Sequence, residues 1–309
     1  MVLATSVASH PSAIESTPSS SQMATHPTQT QLSPTPLLSS VDEVKDFLSK
    51  SIEDKKPVFA SFHVSEDDLE TIHQALQRPE YCKFRISCSD THNLTLRLMP
   101  SLAHDMAAGE VSAAILSSIC TDSRMPPTFE RLKSIAFTLS ATRKLDKPEK
   151  LYKQPDASFT GRQNLRFPLV VIEVGVPEKM AELQGDASHW LLSTQVKMAI
   201  VIFIGPEARV LDKDGLPMPQ IGVRHYEKYI PENPQRSKPQ EAAQATLDIH
   251  WTNEDEIKDY VLPGCHFFSE GTPEYMAFAV DNHHITVKRQ DVLLIREAIR
   301  DAWREDHIE

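Results

Sequence analysis

Apolar residues recur along this chain in two periods, and each change of period marks an element. Val41, Val44, Phe47, Leu48 and Ile52 fall at helical spacing behind Ser40-Val41-Asp42-Glu43, a capping box whose hydroxyl and carboxylate each take a free amide of the first turn. Pro57 to Val64 predicts a short strand, and Ser65-Glu66-Asp67-Asp68 opens a second helix with Leu69, Ile72 and Leu76 inward. Phe84 to Cys88 and Leu94 to Leu98 alternate with their apolar residues on one face, and Pro100 stops the second run. Ser101 to Cys120 predicts a helix with Leu102, Met106, Val111, Ala114, Ile115 and Ile119 as its stripe; Asp105 and Glu110 lie off the edge. Pro126-Pro127 breaks the chain.

Beyond that break, Ile135, Phe137 and Leu139 alternate as a strand, and Ala157 to Thr160 forms another. Leu169-Val170-Val171-Ile172-Glu173-Val174 is nearly all apolar and β-branched, the composition of a strand covered on both faces. A helix over Met180 to Leu192 leads to a second such strand, Val196 to Ile204. Residues 205–260 mix Pro, Gly and charge and predict a long surface excursion. Val292, Ile295, Ile299 and Trp303 place one face of a final amphipathic helix.

The first 40 residues carry ten Ser, six Thr and five Pro with one charge, Glu15. Too little apolar surface is present to offset the entropy of ordering them, so they predict a disordered tail. Residues 41–309 are then expected to form one domain. Only 9 glycines occur in 309 residues, and neither G-x-G-x-x-G nor G-x-x-x-x-G-K-[ST] is found. The longest apolar stretch, Met198 to Ile204, is far short of the ~18 residues that cross a bilayer, so no membrane partner is expected. Cys82, Cys88, Cys120 and Cys265 form no C-x-x-C pair, and no secretory or transit signal is visible. The expectation is an intracellular protein, cytoplasmic or nuclear, with free thiols. The net charge of −11 is unevenly spread. Residues 122–168 hold ten Lys or Arg against five Asp or Glu, whereas residues 205–309 hold twelve against twenty. The stretch 122–168 is therefore the candidate contact for a nucleic acid.

That basic stretch contains Lys153-Gln154-Pro155-Asp156, and Glu173 follows seventeen residues after Asp156 on a buried strand. Burying an ionised carboxylate among Val and Ile is costly unless a partner compensates it. A divalent cation shared by two carboxylates is one such partner; an arginine or backbone amides are another. Mg²⁺ in that position lowers the pKa of a bound water and screens charge during attack on a phosphodiester.

The series continues with Phe167-Pro168, Val170-Val171-Ile172-Glu173-Val174-Gly175, Leu183, Asp186-Ala187, Trp190-Leu191 and Val196-Lys197. In this order the residues resemble the PD-(D/E)XK nuclease superfamily, and within it the fungal PD-(D/E)XK nuclease-like proteins. There a K-x-P-D element precedes an fP-x-v-v-x-E-v-G strand, an L-x-x-D-A-x-x-W-L helix and a V-k strand. Met99-Pro100-Ser101 and His104-Asp105 are similar to the same group, and the match covers roughly residues 93–204. The resemblance implies an α/β fold with a restriction-endonuclease-like core, a central mixed sheet flanked by helices. It implies Asp156 and Glu173 as catalytic ligands of Mg²⁺ or Mn²⁺, with Asp105 as a third metal ligand and Glu110 as its alternative.

One position departs from the pattern. The lysine expected two residues after Glu173 is Gly175. Lys179, Lys197 and Lys153 are the substitutes at hand, and Lys197 is the first choice because it begins the strand expected beside Glu173. Two functions follow: a Mg²⁺-dependent nuclease, or a catalytically degenerate nuclease fold that serves as a binding or interaction module. A chain outside this superfamily, in which Asp156 and Glu173 never meet, is the third possibility. His283-His284 reads as surface, His189 as a packed helix residue, and Tyr226 and Tyr229 as loop residues that could stack on bases.

Overall fold

A computed structural model describes residues 40–54, 58–76, 84–88, 93–98, 101–125, 135–139, 143–144, 152–161, 167–176, 180–212, 214–229 and 242–307. The expected tail, apart from Ser40, lies outside these residues, as does much of the basic stretch 122–168. The first part of the chain forms α1 (Val41–Asp54), β1 (Val58–His63), α2 (Glu66–Leu76), β2 (Phe84–Cys88), β3 (Asn93–Leu98) and α3 (Leu102–Thr121). Next come β4 (Ile135–Leu139), β5 (Arg143–Lys144), β6 (Tyr152–Lys153), β7 (Ala157–Gly161), β8 (Val170–Gly175) and α4 (Met180–Ser193). The remainder is β9 (Met198–Leu211), β10 (Pro217–Tyr229), β11 (Ala242–His250), β12 (Tyr260–Pro263), α5 (Pro273–Ala279), β13 (His284–Val287) and α6 (Arg289–His307).

Six strands make the main sheet in the order β11-β10-β9-β8-β7-β4. Every neighbouring pair is antiparallel except β8 beside β9, which are parallel and joined through α4, the crossover such a pair requires. A second, antiparallel sheet has the order β1-β3-β2-β6-β5, and β12 pairs with β13. The fold is thus α/β, with a central mixed sheet flanked by helices. On one face Val170, Ile172 and Val174 pack with Val111 and Ile115 of α3 and Ile295 and Ile299 of α6. On the other, Val171 and Val201 pack with Leu183, Trp190 and Leu191 of α4 and with Leu94 and Leu96 of β3. Cover on both faces explains why β8 is an unbroken apolar run rather than an alternating one. No helix among the described residues is long and apolar enough to cross a membrane.

Local signals place the element starts. Ser40 Oγ accepts from Glu43 N (3.3 Å) while the Glu43 carboxylate accepts from Ser40 N (3.1 Å), and Ser65 caps α2 through Asp68 N (3.1 Å). Helix α3 starts on two caps. Ser101 Oγ accepts from His104 N (3.3 Å), and the Asp306 carboxylate of α6 accepts from Leu102 N (3.1 Å), Ala103 N (3.0 Å) and Ser101 Oγ (2.9 Å). An anionic group at a helix N-terminus also meets the positive end of its dipole.

Two expectations need correction. The buried face of α3 is Ala103, Ala107, Ala108, Val111, Ile115 and Ile119, while Leu102 is 42% exposed and Met106 and Ala114 are partly buried. Small side chains bring the helix axis close to the sheet, a contact that weighting by large apolar residues misses. Residues 205–260, expected as a surface excursion, instead continue the main sheet: β9 runs on to Leu211, and β10 and β11 add two antiparallel strands. Register shifts at Pro217/Pro219 and Pro219/Ile221 interrupt the alternation of β10. Strand β11 is an edge strand with no fully buried residue; Ala243, Ala245, Leu247 and Ile249 alternate with polar residues, a period that the expectation of a surface excursion passes over.

Helix α6 buries Val292, Ile295, Ile299 and Trp303 as expected and locks the β9–β10 hairpin from its polar side. Asp212, between those strands, accepts from Leu216 N (2.8 Å), Asp214 N (2.9 Å), Arg304 (2.8 Å) and Arg300 (3.3 Å). The Arg304 guanidinium, followed by the backbone amides, holds its pKa at about 2 against an ordinary 3.8. A depressed carboxylate stabilises the fold fully above its unfolded pKa and loses that contribution as pH falls through the folded one. Asp212→Asn should therefore melt below the wild type at pH 6, with the gap closing between pH 4 and pH 2; calorimetric melts across that range check it.

Candidate active site at the ends of strands β7 and β8

Asp156 stands near enough to Glu173 for its charge to act on that carboxyl. Ala157 pairs with Ile172 across β7 and β8, and Asp156 N donates to Ile172 O (3.1 Å), so Asp156 sits at the start of β7. Strand β7 begins there, leaving Val174 N without a strand partner. The Asp156 carboxylate occupies that place, with Oδ2 accepting from Val174 N at 2.6 Å. The same oxygen lies 3.2 Å from His104 Nε2 on the first turn of α3. Asp156 is 4% exposed and Glu173 6%, so both carboxylates belong to the interior.

Glu173 follows the parity of Val171 and faces α4, where the Trp190 indole N–H donates to Oε1. Burial is the main cause that pushes its pKa up to about 8; the charge of Asp156 and that of Asp186 add to the rise, and Lys153 opposes it. Among the described residues Glu173 has no ion pair. Lys153, 3% exposed on β6, pairs its ammonium with Asp186 of α4 and stands over the Trp190 ring at 5.8 Å. His189, the residue before that tryptophan, has its pKa lowered by burial and then by Lys153. The sequence analysis takes it as helix packing; the structure adds it to this group, with its Nε2 buried and without a hydrogen-bond partner. The α4 motif Asp186…Trp190 is the signal that marks these neighbours.

Asp105 does not join the two acids. Its Oδ1 lies 3.2 Å from His104 Nδ1, and its side chain is 68% exposed, so the imidazole separates it from Asp156. A neutral imidazole donates from one nitrogen only, whereas here each nitrogen faces a carboxylate. Among the described residues no three His, Cys, Asp or Glu side chains gather as a metal-binding group. Glu110 is exposed further along α3.

Lys197 is placed elsewhere. Its backbone N donates to Leu169 O (2.8 Å), and Val201, not Lys197, is the β9 partner of Glu173. Four residues of strand separate them, about 13 Å at ~3.3 Å per residue. Its ammonium donates to Phe268 O (3.3 Å) and pairs with Glu270 (3.3 Å). Lys179 lies outside the described residues. In the basic stretch Arg124 is bound to Asp122 and Lys153 is buried, while most of its other cations lie outside the described residues. Tyr226 is 2% exposed within the core and presents no face to a base.

No family model matches the chain, and no curated protein matches it. A solved structure of a DUF820 protein from Anabaena variabilis, described as a candidate nuclease, is similar at 13% identity and a TM-score of 0.41. The similarity covers 75% of this chain and 98% of that one.

Gly175 has a packing reason. A Cβ there would sit 2.6 Å from Leu183 Cδ1, and Leu183 is buried in the α4 interface. Gly175→Ala should cost about 1–3 kcal/mol of stability in denaturant unfolding, and much less in a Leu183→Ala background. The pH behaviour of Glu173 provides a second test. A folded pKa of about 8 above the ordinary 4.5 means its contribution is complete below pH 4.5 and lost as pH rises through 8. The wild-type melting temperature should drop between about pH 4.5 and pH 8, and Glu173→Gln should flatten that drop.

Proposed function

We propose that this chain is a divalent-cation-dependent phosphodiester hydrolase of the nuclease-like kind, with its centre at Asp156 and Glu173. The observation that carries the reading is a carboxyl group buried near a second acid, without an ion pair, and held near pKa 8. An inert structural glutamate would be replaced by an apolar residue at lower cost, whereas a cation ligand must be retained. Mg²⁺ is commonly held by one or two carboxylates, with water and substrate oxygens completing its shell, so the pair suffices without Asp105. Asp156 and Glu173 would hold the Mg²⁺ or Mn²⁺. When bound, the ion supplies a water of lowered pKa and screens the charge of the phosphodiester.

The chain's own groups divide the remaining work. Val174 N and His104 orient Asp156; Trp190 orients Glu173. Lys153, supplied by β6, takes the part of the lysine missing at Gly175 and steadies charge on the substrate after leaving Asp186. The substrate class is nucleic acid, drawn to the basic stretch 122–168. A binding module is the second reading, favoured by the burial of both acids and by Leu183 against Gly175.

Calorimetry with Mn²⁺ and cleavage of a DNA and RNA panel separate the two. The wild type should bind Mn²⁺ and cut, Asp156→Asn should do neither, and Lys153→Met should bind yet cut about 10²–10³-fold more slowly. Mn²⁺ binding no stronger than that of the Asp156→Asn/Glu173→Gln double variant leaves the binding module.

A further inference from the structure

A second concavity, of about 760 Å³, opens at the other end of the main sheet, where the chain enters β8 and β9 and leaves β10. That size lies within the range of small-molecule sites. Phe167, Leu169 and Val196 make an apolar wall, and Lys197, Lys228, Glu227, His266 and Tyr275 are among the residues lining the rest, so the cleft carries a cationic excess before Glu270 is counted. None of these residues is used by the Asp156–Glu173 centre.

Two polar groups in this cleft have capacity that the fold does not consume. The His266 imidazole has Nε2 3.9 Å from Glu227 Oε2, too far for a hydrogen bond, and Nδ1 is buried without a partner. Burial lowers its pKa, so the ring is neutral at pH 7 and can donate from one nitrogen and accept at the other. Lys197 is aimed by Phe268 O (3.3 Å) and by the Tyr275 ring 4.7 Å away. Its carboxylate partner, Glu270, is 74% exposed. With Glu270 in solvent and Lys197 19% exposed, the carboxylate is the partner readily exchanged for another anion. Glu227, fixed through Thr246 Oγ1 (3.0 Å), puts negative charge near His266 and disfavours a second anionic group there.

We propose that this cleft binds a small organic anion with a single acidic group and an apolar body. Its carboxylate or phosphate group replaces Glu270 on Lys197, its body lies against Phe167 and Leu169, and a polar substituent reaches His266. The proposal stands apart from the nuclease reading, since neither acid of that centre takes part.

Calorimetry on the full chain with benzoate, phenyl phosphate, inorganic phosphate and benzyl alcohol tests it. Benzoate or phenyl phosphate should bind, and the preference between them tells carboxylate from phosphate ester. Inorganic phosphate, which lacks the body, and benzyl alcohol, which lacks the charge, should bind at least tenfold more weakly. Lys197→Met should lose binding at least tenfold, Lys197→Arg should keep it, and Asp156→Asn should leave it unchanged. Glu270→Gln, at an exposed position that does not endanger folding, should tighten binding several-fold. No binding of either organic anion, equal affinity for inorganic phosphate, or affinity unmoved by both Lys197→Met and Glu270→Gln overturns the proposal.

Discussion

The arrangement of the main sheet around β8 turns on one constraint: a glutamate side chain has to exist inside it. Burial of Glu173 without a counter-ion would be prohibitive as a carboxylate, and the surroundings answer in two ways. The Trp190 indole donates to it, and the pKa rises until the neutral acid is the resting form. Asp156, one strand away, is treated differently: a backbone amide and an imidazole nitrogen stand against its Oδ2. One acid is furnished with donors and the other is kept short of charge, so the two differ although they lie near each other.

The helix packed on this pair follows from the same constraint. Strand β8 brings Gly175 against Leu183, and this close approach lets α4 present Trp190, Asp186 and His189 to the end of the sheet. A lysine side chain at position 175 would displace the helix that supplies Trp190. The cation near Glu173 therefore enters from β6, in the smaller sheet, where Lys153 pairs with Ser87 of β2 along the backbone.

How much of this was legible beforehand depends on what each signal measures. Capping residues and apolar period report local geometry, and they located α1, α2, α4, α6 and the buried strands β8 and β9. That Asp156 leads into one strand and Glu173 lies within the next was also readable, from the short run at Ala157 and the apolar run around Glu173. The position of Lys197 was not: a residue that begins a parallel neighbour lies at the level of the first residues of β8, and only the register, Val170 with Met198, shows that. Strand β10 was hidden because bulges interrupt its alternation, whereas β11 alternates from Ala243 to Ile249 with small and half-buried residues and was passed over. The inward face of α3 was misjudged for a third reason, as close packing there is achieved with alanines.

The seat of Asp306 on the first turn of α3 has a consequence for the far end of the molecule. Three donors, Ser101 Oγ, Leu102 N and Ala103 N, converge on one carboxylate that arrives from α6, more than two hundred positions later. His104 is the next residue along that turn. The terminal helix is thus a latch on the imidazole that touches Asp156, and peeling it away by proteolysis or fusion strain would be felt at the acids without any change in their own strands.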